Sequence, residues 1–182
     1  LARRLAQQGN PVGWLLSQVW DRFRDRPFFL SQQAVRNVRD QADVVLYLVN
    51  ASEAPADAGY LAPELDVLAW IGKPVIVLVN QTGAPRPHDE EAAQQAAWRD
   101  ALGPRAVIRA VATLDAFTRC WVQEIALLDL VGDALSPSRR ARNARLAEAW
   151  TARSLARFDE AMAALAVPIA AAEGYRELLA DM

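Results

Sequence analysis

Two valine-rich runs lead into the same residue type. Asp43 to Asn50 (DVVLYLVN) closes on Asn50, and Val75 to Val79 (VIVLV) is followed at once by Asn80. An asparagine straight after a buried strand presents a side-chain amide, donor and acceptor together, at the rim of a sheet. Such a group suits reading the edge of a planar base. It can equally do no more than shape the turn, because asparagine is a common turn former. Ala51-Ser52 follows the first asparagine and Gln81-Thr82-Gly83 the second, while a third run, Ala106 to Val111, leads into Ala112-Thr113-Leu114. In open α/β sheets ligands bind beyond the carboxyl ends of the strands, so these three clusters form the candidate site.

Other chemistries are excluded or weakly supported. Of the 20 basic residues only Lys73 is a lysine, and Pro74 follows it. A phosphate-binding loop of the form G-x-x-x-x-G-K-[ST] therefore cannot lie within this sequence. One cysteine, Cys120, and one histidine, His88, leave no intrachain disulfide and too few ligands for a Cys/His zinc site. His88 lies among proline and acidic residues and reads as a solvated loop histidine rather than a catalytic base. Glu53, Asp57, Glu64 and Asp66 cluster near a strand end but follow no recognised cation-binding spacing. A net charge of −2 gives no overall attraction to nucleic acid or anionic lipid. The longest apolar stretch, Ala161 to Ala172, is short and broken by Pro168. No signal peptide opens the chain, and neither does an initiator methionine, so the expectation is a cytoplasmic piece of a longer protein.

Both valine-rich runs lack a polar face, as expected of strands covered on both sides in a parallel sheet. Between them, Ala62 to Ile71 is predicted as a helix with Leu65, Leu68 and Ala69 inward, stopped by Gly72-Lys73-Pro74. Strand, crossover helix and strand together have the size of one βαβ unit. The pattern then repeats: a helix over Glu90 to Leu102, a strand over Ala106 to Val111, and an apolar helix from Thr118 to Leu135 with Cys120 and Trp121 in the core. The expected fold class is therefore α/β, a parallel sheet of about three strands with flanking helices and a helical C-terminal extension. Three strands are few for such a sheet, and further strands are expected upstream of Leu1.

The flanking stretches read as helical. Within Leu1 to Gln41, Trp14, Leu15, Val19 and Phe23 form an amphipathic stripe, Asp25-Arg26-Pro27 breaks it, and Ser31 is a candidate N-cap for a second helix to about Asp40. Ser136-Pro137 opens a long helix to about Ala166, carrying Arg139, Arg140, Arg142, Arg145, Arg153 and Arg157. Its stripe Leu146, Ala149, Trp150, Leu155, Phe158, Met162 and Leu165 is expected to pack on the α/β unit or on sequence outside this chain. Three units follow: a helical segment over 1–41, the sheet region over 42–135 and the helical extension over 136–182.

The wording of the strand-bearing region adds a resemblance. ADVVLYLVNAS, about twenty residues, and then GKPVIVLVNQTG resembles the second half of a translation-factor-class GTPase of the Era-like group. More narrowly, GNPVGWLLSQVWDRFRDRPFFLSQQAVRNVRDQADVVLYLVN and LDAFTRCWVQE are similar to bacterial predicted GTPases carrying an uncharacterised helical C-terminal domain. The resemblance implies a partial three-layer P-loop-GTPase-like fold whose base-binding half is present. Asn80 matches the asparagine of the guanine motif N-K-x-D, and Gln81 takes its lysine position, where the family's side chain covers the base face. Thr82 fills the variable position and Gly83 falls where the family's aspartate takes two hydrogen bonds from guanine. That last departure removes a charge-assisted pair. Ala112-Thr113-Leu114 matches the S-A-[KL] loop, whose backbone amide meets the guanine carbonyl.

The family's phosphate-binding loop, its Mg²⁺-binding Ser/Thr and its D-x-P-G switch motif do not occur here. The resemblance puts them upstream of Leu1, so GTP or GDP binding with Mg²⁺, and hydrolysis, are expected only of the full-length protein. Implied partners are a guanine nucleotide and a protein contacted through the helices of 1–41 or 136–166. An RNA or a membrane surface at the arginine-rich helix, with peripheral membrane localisation, is the further expectation. The alternative is a degenerate G domain or a Rossmann-like interaction module without catalysis.

Overall fold

A computed structural model describes residues 26–84, 86–116 and 120–180, with side chains over 33–172 of that range. The stripe Trp14, Leu15, Val19 and Phe23 lies outside it. The elements run in the order α1 (Arg26–Gln41), β1 (Val45–Asn50), α2 (Leu61–Ile71), β2 (Val75–Asn80), α3 (His88–Leu102), β3 (Ile108–Thr113), α4 (Trp121–Ala134) and α5 (Pro137–Ala180). Proline is tolerated in the first turn of a helix, where the N–H it lacks would have no intrahelical partner in any case. Arg26-Pro27 therefore lies in the first turn of α1, and Ser31 sits within α1 instead of capping it; the helix expected before the break lies outside the described residues.

The strands form one parallel sheet in the order β1-β2-β3. Pairing runs from Val45↔Val75 to Asn50↔Asn80, so the two asparagines stand side by side at the carboxyl edge. β3 begins at Ile108, two residues later than expected, after a turn in which the Ile108 N–H donates to the Arg105 carbonyl at 3.0 Å. A 2.6 Å ion pair from Arg105 to Asp66 ties that turn to α2.

All of Val75 to Val79 is buried, as an apolar run without a polar face requires. On one face Val49, Val75, Val77 and Val79 meet Leu61 and Leu65 of α2 and Trp98 and Leu102 of α3. Leu61 takes the inward place expected of Ala69, which is exposed. Gly72 ends α2 with φ 74°, donating its N–H to the Leu68 carbonyl at 3.0 Å. On the other face α4 contacts β2 and β3, and the β1 portion stays open. Leu46 and Leu48 are 43% and 58% exposed, so among the described residues the expectation of two covered faces fails for β1.

Helices α4 and α5 form a hairpin. Arg140 reaches back to the carboxyl end of α4, its Nε donating to the Gly132 carbonyl at 3.1 Å and its Nη2 to Asp133 at 3.3 Å. Asn143 Nδ2 donates to the Leu128 carbonyl at 2.8 Å. A β-carbon at Gly132 would stand 2.8 Å from that Nδ2, so glycine there permits the close crossing. Cys120 precedes α4 and is exposed, contrary to its expected place in the core. The start of α5 is anchored to the sheet by a 2.6 Å pair between Arg139 and Asp43.

Helix α5 extends 44 residues, past Ala166 and through Pro168. Its apolar stripe, Leu146, Ala149, Trp150, Leu155, Phe158, Met162 and Leu165, is exposed throughout, although Leu146 and Trp150 also line a cleft against the sheet. Pro168 removes one backbone hydrogen bond and crowds the preceding turn, at a cost of about 3 kcal/mol in a helix interior. Pro168→Ala should therefore raise the helical signal at 222 nm and the temperature at which α5 frays; an unchanged melting profile would place the helix end before residue 168. Among the described residues no helix is long and apolar enough to cross a membrane.

Candidate functional site

The paired asparagines do different work. Asn50 Oδ1 accepts from the Ser52 N–H at 3.0 Å and from Ser52 Oγ at 2.7 Å, a local turn that uses up its oxygen. Asn80 instead reaches across the sheet end. Its Oδ1 accepts from the Ala116 N–H at 2.9 Å, binding the loop after β2 to the loop after β3. Its Nδ2 makes no hydrogen bond to a described residue. Backbone bonds knit the same region, from the Ala51 N–H to the Asn80 carbonyl at 2.7 Å and from the Leu114 N–H to the Val79 carbonyl at 3.1 Å.

The turn after Asn80 is tight. Gln81 has φ 60°, the one non-glycine residue with positive φ among those described, and Gly83 has φ 80°. Left-handed backbone costs a side-chain-bearing residue roughly 1–2 kcal/mol, so tertiary contacts must hold it. Asp115 supplies them. This carboxylate is 3% exposed, and its Oδ2 accepts from the Thr82 N–H at 2.8 Å and from Thr82 Oγ1 at 3.0 Å. From α3, Gln94 Nε2 donates to the Ala51 carbonyl at 3.0 Å and Gln95 Nε2 to Thr113 Oγ1 at 3.4 Å.

Two cavities flank this knot. One of about 250 Å³ lies among Thr82, Gly83, Thr113, Asp115, Arg86 and Gln123. The other, of about 420 Å³ and largely apolar, lies between the open sheet face and the α4–α5 hairpin, with Asn80, Leu114, Leu48, Leu78, Leu128 and Trp150 in its wall. The expected site residues are thus divided between the two. Gln81 stands exposed at the rim and Ala112 is half-buried inside β3, and neither lines either of these two cavities. Asp115 was not singled out from the sequence; its one signal is an acidic residue two positions past the end of the last strand.

No protein-family model, curated protein or solved structure matches the chain.

The site's chemical capacity follows from its own atoms. The smaller cavity lies below the ordinary range of about 300–1,000 Å³ for ligand pockets, which suits a planar ring more than a whole nucleotide. Among the described residues no three His, Cys, Asp or Glu side chains converge as a metal site. The acidic residues near β1 have other partners. Tyr47 donates to Glu64 at 2.8 Å, Tyr60 to Glu53 at 3.2 Å, and Asp66 meets Arg105. Burial, with the Glu64 carboxylate beside it, pushes the Tyr47 phenol well above its ordinary pKa, so this hydroxyl stays protonated and donates. His88 is exposed at the start of α3.

Proposed function

We propose that the chain is the base-binding half of a GTPase-like nucleotide-binding domain, with the base held at the carboxyl ends of β2 and β3. The observation that carries this reading is Asn80. Its oxygen fixes the neighbouring loop while its N–H group stays available at the sheet rim, the division of labour expected of a residue that both braces a site and meets a ring nitrogen or carbonyl. The left-handed Gln81 supports it, since strained backbone persists where surrounding structure holds it for a purpose. Phosphate binding, Mg²⁺ and hydrolysis require a loop and switch motif that these 182 residues do not contain. The proposal is of half a site.

Titration of the complete gene product with fluorescent GTP, GDP and ATP analogues tests it. Saturable binding preferring the guanine forms is expected, and Asn80→Ala should weaken it severalfold, which is about 1 kcal/mol for a lost hydrogen bond. Equal affinity for ATP would remove the guanine preference. No binding at all, or an Asn80→Ala variant of unchanged affinity, would remove the site.

One observation favours a second reading, a degenerate domain that binds a protein partner without catalysis. Gly83 offers no carboxylate to a guanine edge, and of the two acidic residues lining the smaller cavity Asp115 is turned toward Thr82 and Glu91 accepts from the Arg86 N–H. Absence of nucleotide binding together with an intact fold would select it. The exposed Arg142, Arg145, Arg153 and Arg157 keep RNA or anionic lipid in view as partners, and such binding would weaken steeply with added salt.

A further inference from the structure

Across the smaller cavity the loop after β2 meets the first turn of α3, and a carboxylate with one oxygen uncommitted joins its wall. Glu91 lies in that first turn, its N–H donating to the Pro87 carbonyl at 3.2 Å. Its Oε1 accepts from the Arg86 N–H at 3.2 Å, and Arg86 Nη2 donates to the Thr82 carbonyl at 3.3 Å. Arg86 thus straps the carboxylate to the turn that carries Gly83. The other oxygen, Oε2, makes no hydrogen bond among the described residues, and the side chain lines the cavity together with Thr82, Gly83 and Thr113. The cavity's second carboxylate, Asp115, is 3% exposed and turned toward Thr82. Space at position 83 is open. A β-carbon there would meet no atom within 4 Å, and the glycine backbone, at φ 80°, admits the close approach of a flat ring.

We infer that Glu91 is the specificity-determining residue of the base site, its carboxylate accepting the ring N1–H and the 2-amino group of guanine. This rests on the nucleotide reading above and assigns the group that selects the base. A carboxylate has about four acceptor sites, and the Arg86 N–H takes one of those on Glu91. A guanine edge presents two adjacent N–H donors, and bonds from such donors to an ionised acceptor are about twice as strong as neutral ones. Adenine turns the N1 lone pair toward the same carboxylate and is repelled. Hypoxanthine keeps the N1–H but lacks the 2-amino group, so it forfeits one bond and is otherwise the same ring. The strap through Arg86 holds the carboxylate in place before a ligand arrives, which lowers the ordering cost of binding. A guanine preference is therefore open to this chain although position 83 carries no acid.

Titration of the complete gene product with fluorescent guanosine and inosine diphosphates tests this. The guanosine form should bind at least about tenfold tighter than the inosine form, the worth of one hydrogen bond to a charged acceptor. Glu91→Gln, of the same length and shape, should lower guanosine diphosphate affinity at least about tenfold and bring the two ligands within about threefold of each other. Glu90→Gln, on the same turn but lining neither of these two cavities, should leave both affinities unchanged. A Glu91→Gln variant that keeps the guanosine preference would overturn the inference, whether its affinities are unchanged or lowered together, the latter marking a merely structural carboxylate. Wild-type protein that binds guanosine diphosphate, loses it in Asn80→Ala and shows no preference over inosine would overturn the assignment of Glu91 and leave the half-site standing. Protein that binds neither nucleotide would remove both.

Discussion

Trp98→Ala should lower the unfolding free energy by about 3–5 kcal/mol, the range for truncating a buried tryptophan. Trp98 is 0% exposed and is the largest fully buried side chain of the described chain. With Leu102 one turn on, it is what α3 contributes to the valine face of the sheet. The site loosens with it, because Gln94 and Gln95 on the same helix hold the Ala51 carbonyl and the Thr113 hydroxyl. A second substitution separates volume from polarity. The indole Nε1 is buried with no hydrogen-bond partner among the described residues, and such an orphaned group costs about 1–3 kcal/mol. Trp98→Phe leaves a smaller void and deletes the orphan, so its net cost should stay below about 1.5 kcal/mol. Urea denaturation of the three proteins measures both. A phenylalanine variant as unstable as the alanine variant would mean that the indole N–H has a partner after all.

The residues that announced themselves in the sequence were those whose local pattern and tertiary place agree. Val75 to Val79 has no polar face and is buried on both, and Gly72-Lys73-Pro74 stops α2 through a glycine at positive φ. From these two features the parallel sheet and its first crossover could be read. β1 reads the same way, yet Leu46 and Leu48 are open. A strand's pattern records the coverage it is suited to, not what its neighbours supply. Trp98 was hidden because α3 is mostly alanine, glutamine and charge, so two inward residues carry its packing without a visible stripe. Cys120 was misjudged because apolar residues continue on both sides of the point where α4 begins. For the site, the rim position of Asn80 was legible from a strand ending in asparagine. The contrast between Asn50 and Asn80 was not, since it depends on which backbone N–H lies within reach.

Asp115→Ala should cost about 2–3 kcal/mol, because hydrogen bonds to a charged acceptor exceed neutral ones and truncation leaves the Thr82 N–H without this acceptor in a part-buried place. The loss falls on the candidate site before it falls on the fold. Thr82 follows the left-handed Gln81, and the Asp115 carboxylate holds the Thr82 N–H and hydroxyl 33 residues away in sequence. Released from it, Gln81 should relax toward negative φ and carry the turn with it, since the exposed 3.3 Å bond from Arg86 Nη2 to the Thr82 carbonyl is weak against a strain of roughly 1–2 kcal/mol. Thr82→Val deletes only the hydroxyl bond and keeps the backbone one, so it should cost about 1 kcal/mol and leave the turn in place. Denaturant midpoints give the energies, and amide hydrogen exchange at Thr82 and Gly83 reports the turn. Exchange there should rise in Asp115→Ala and stay near its original rate in Thr82→Val. Equal protection in both variants would show that the turn is held by its own backbone, and Asp115 would then be a stabilising contact without a part in shaping the rim where Asn80 stands.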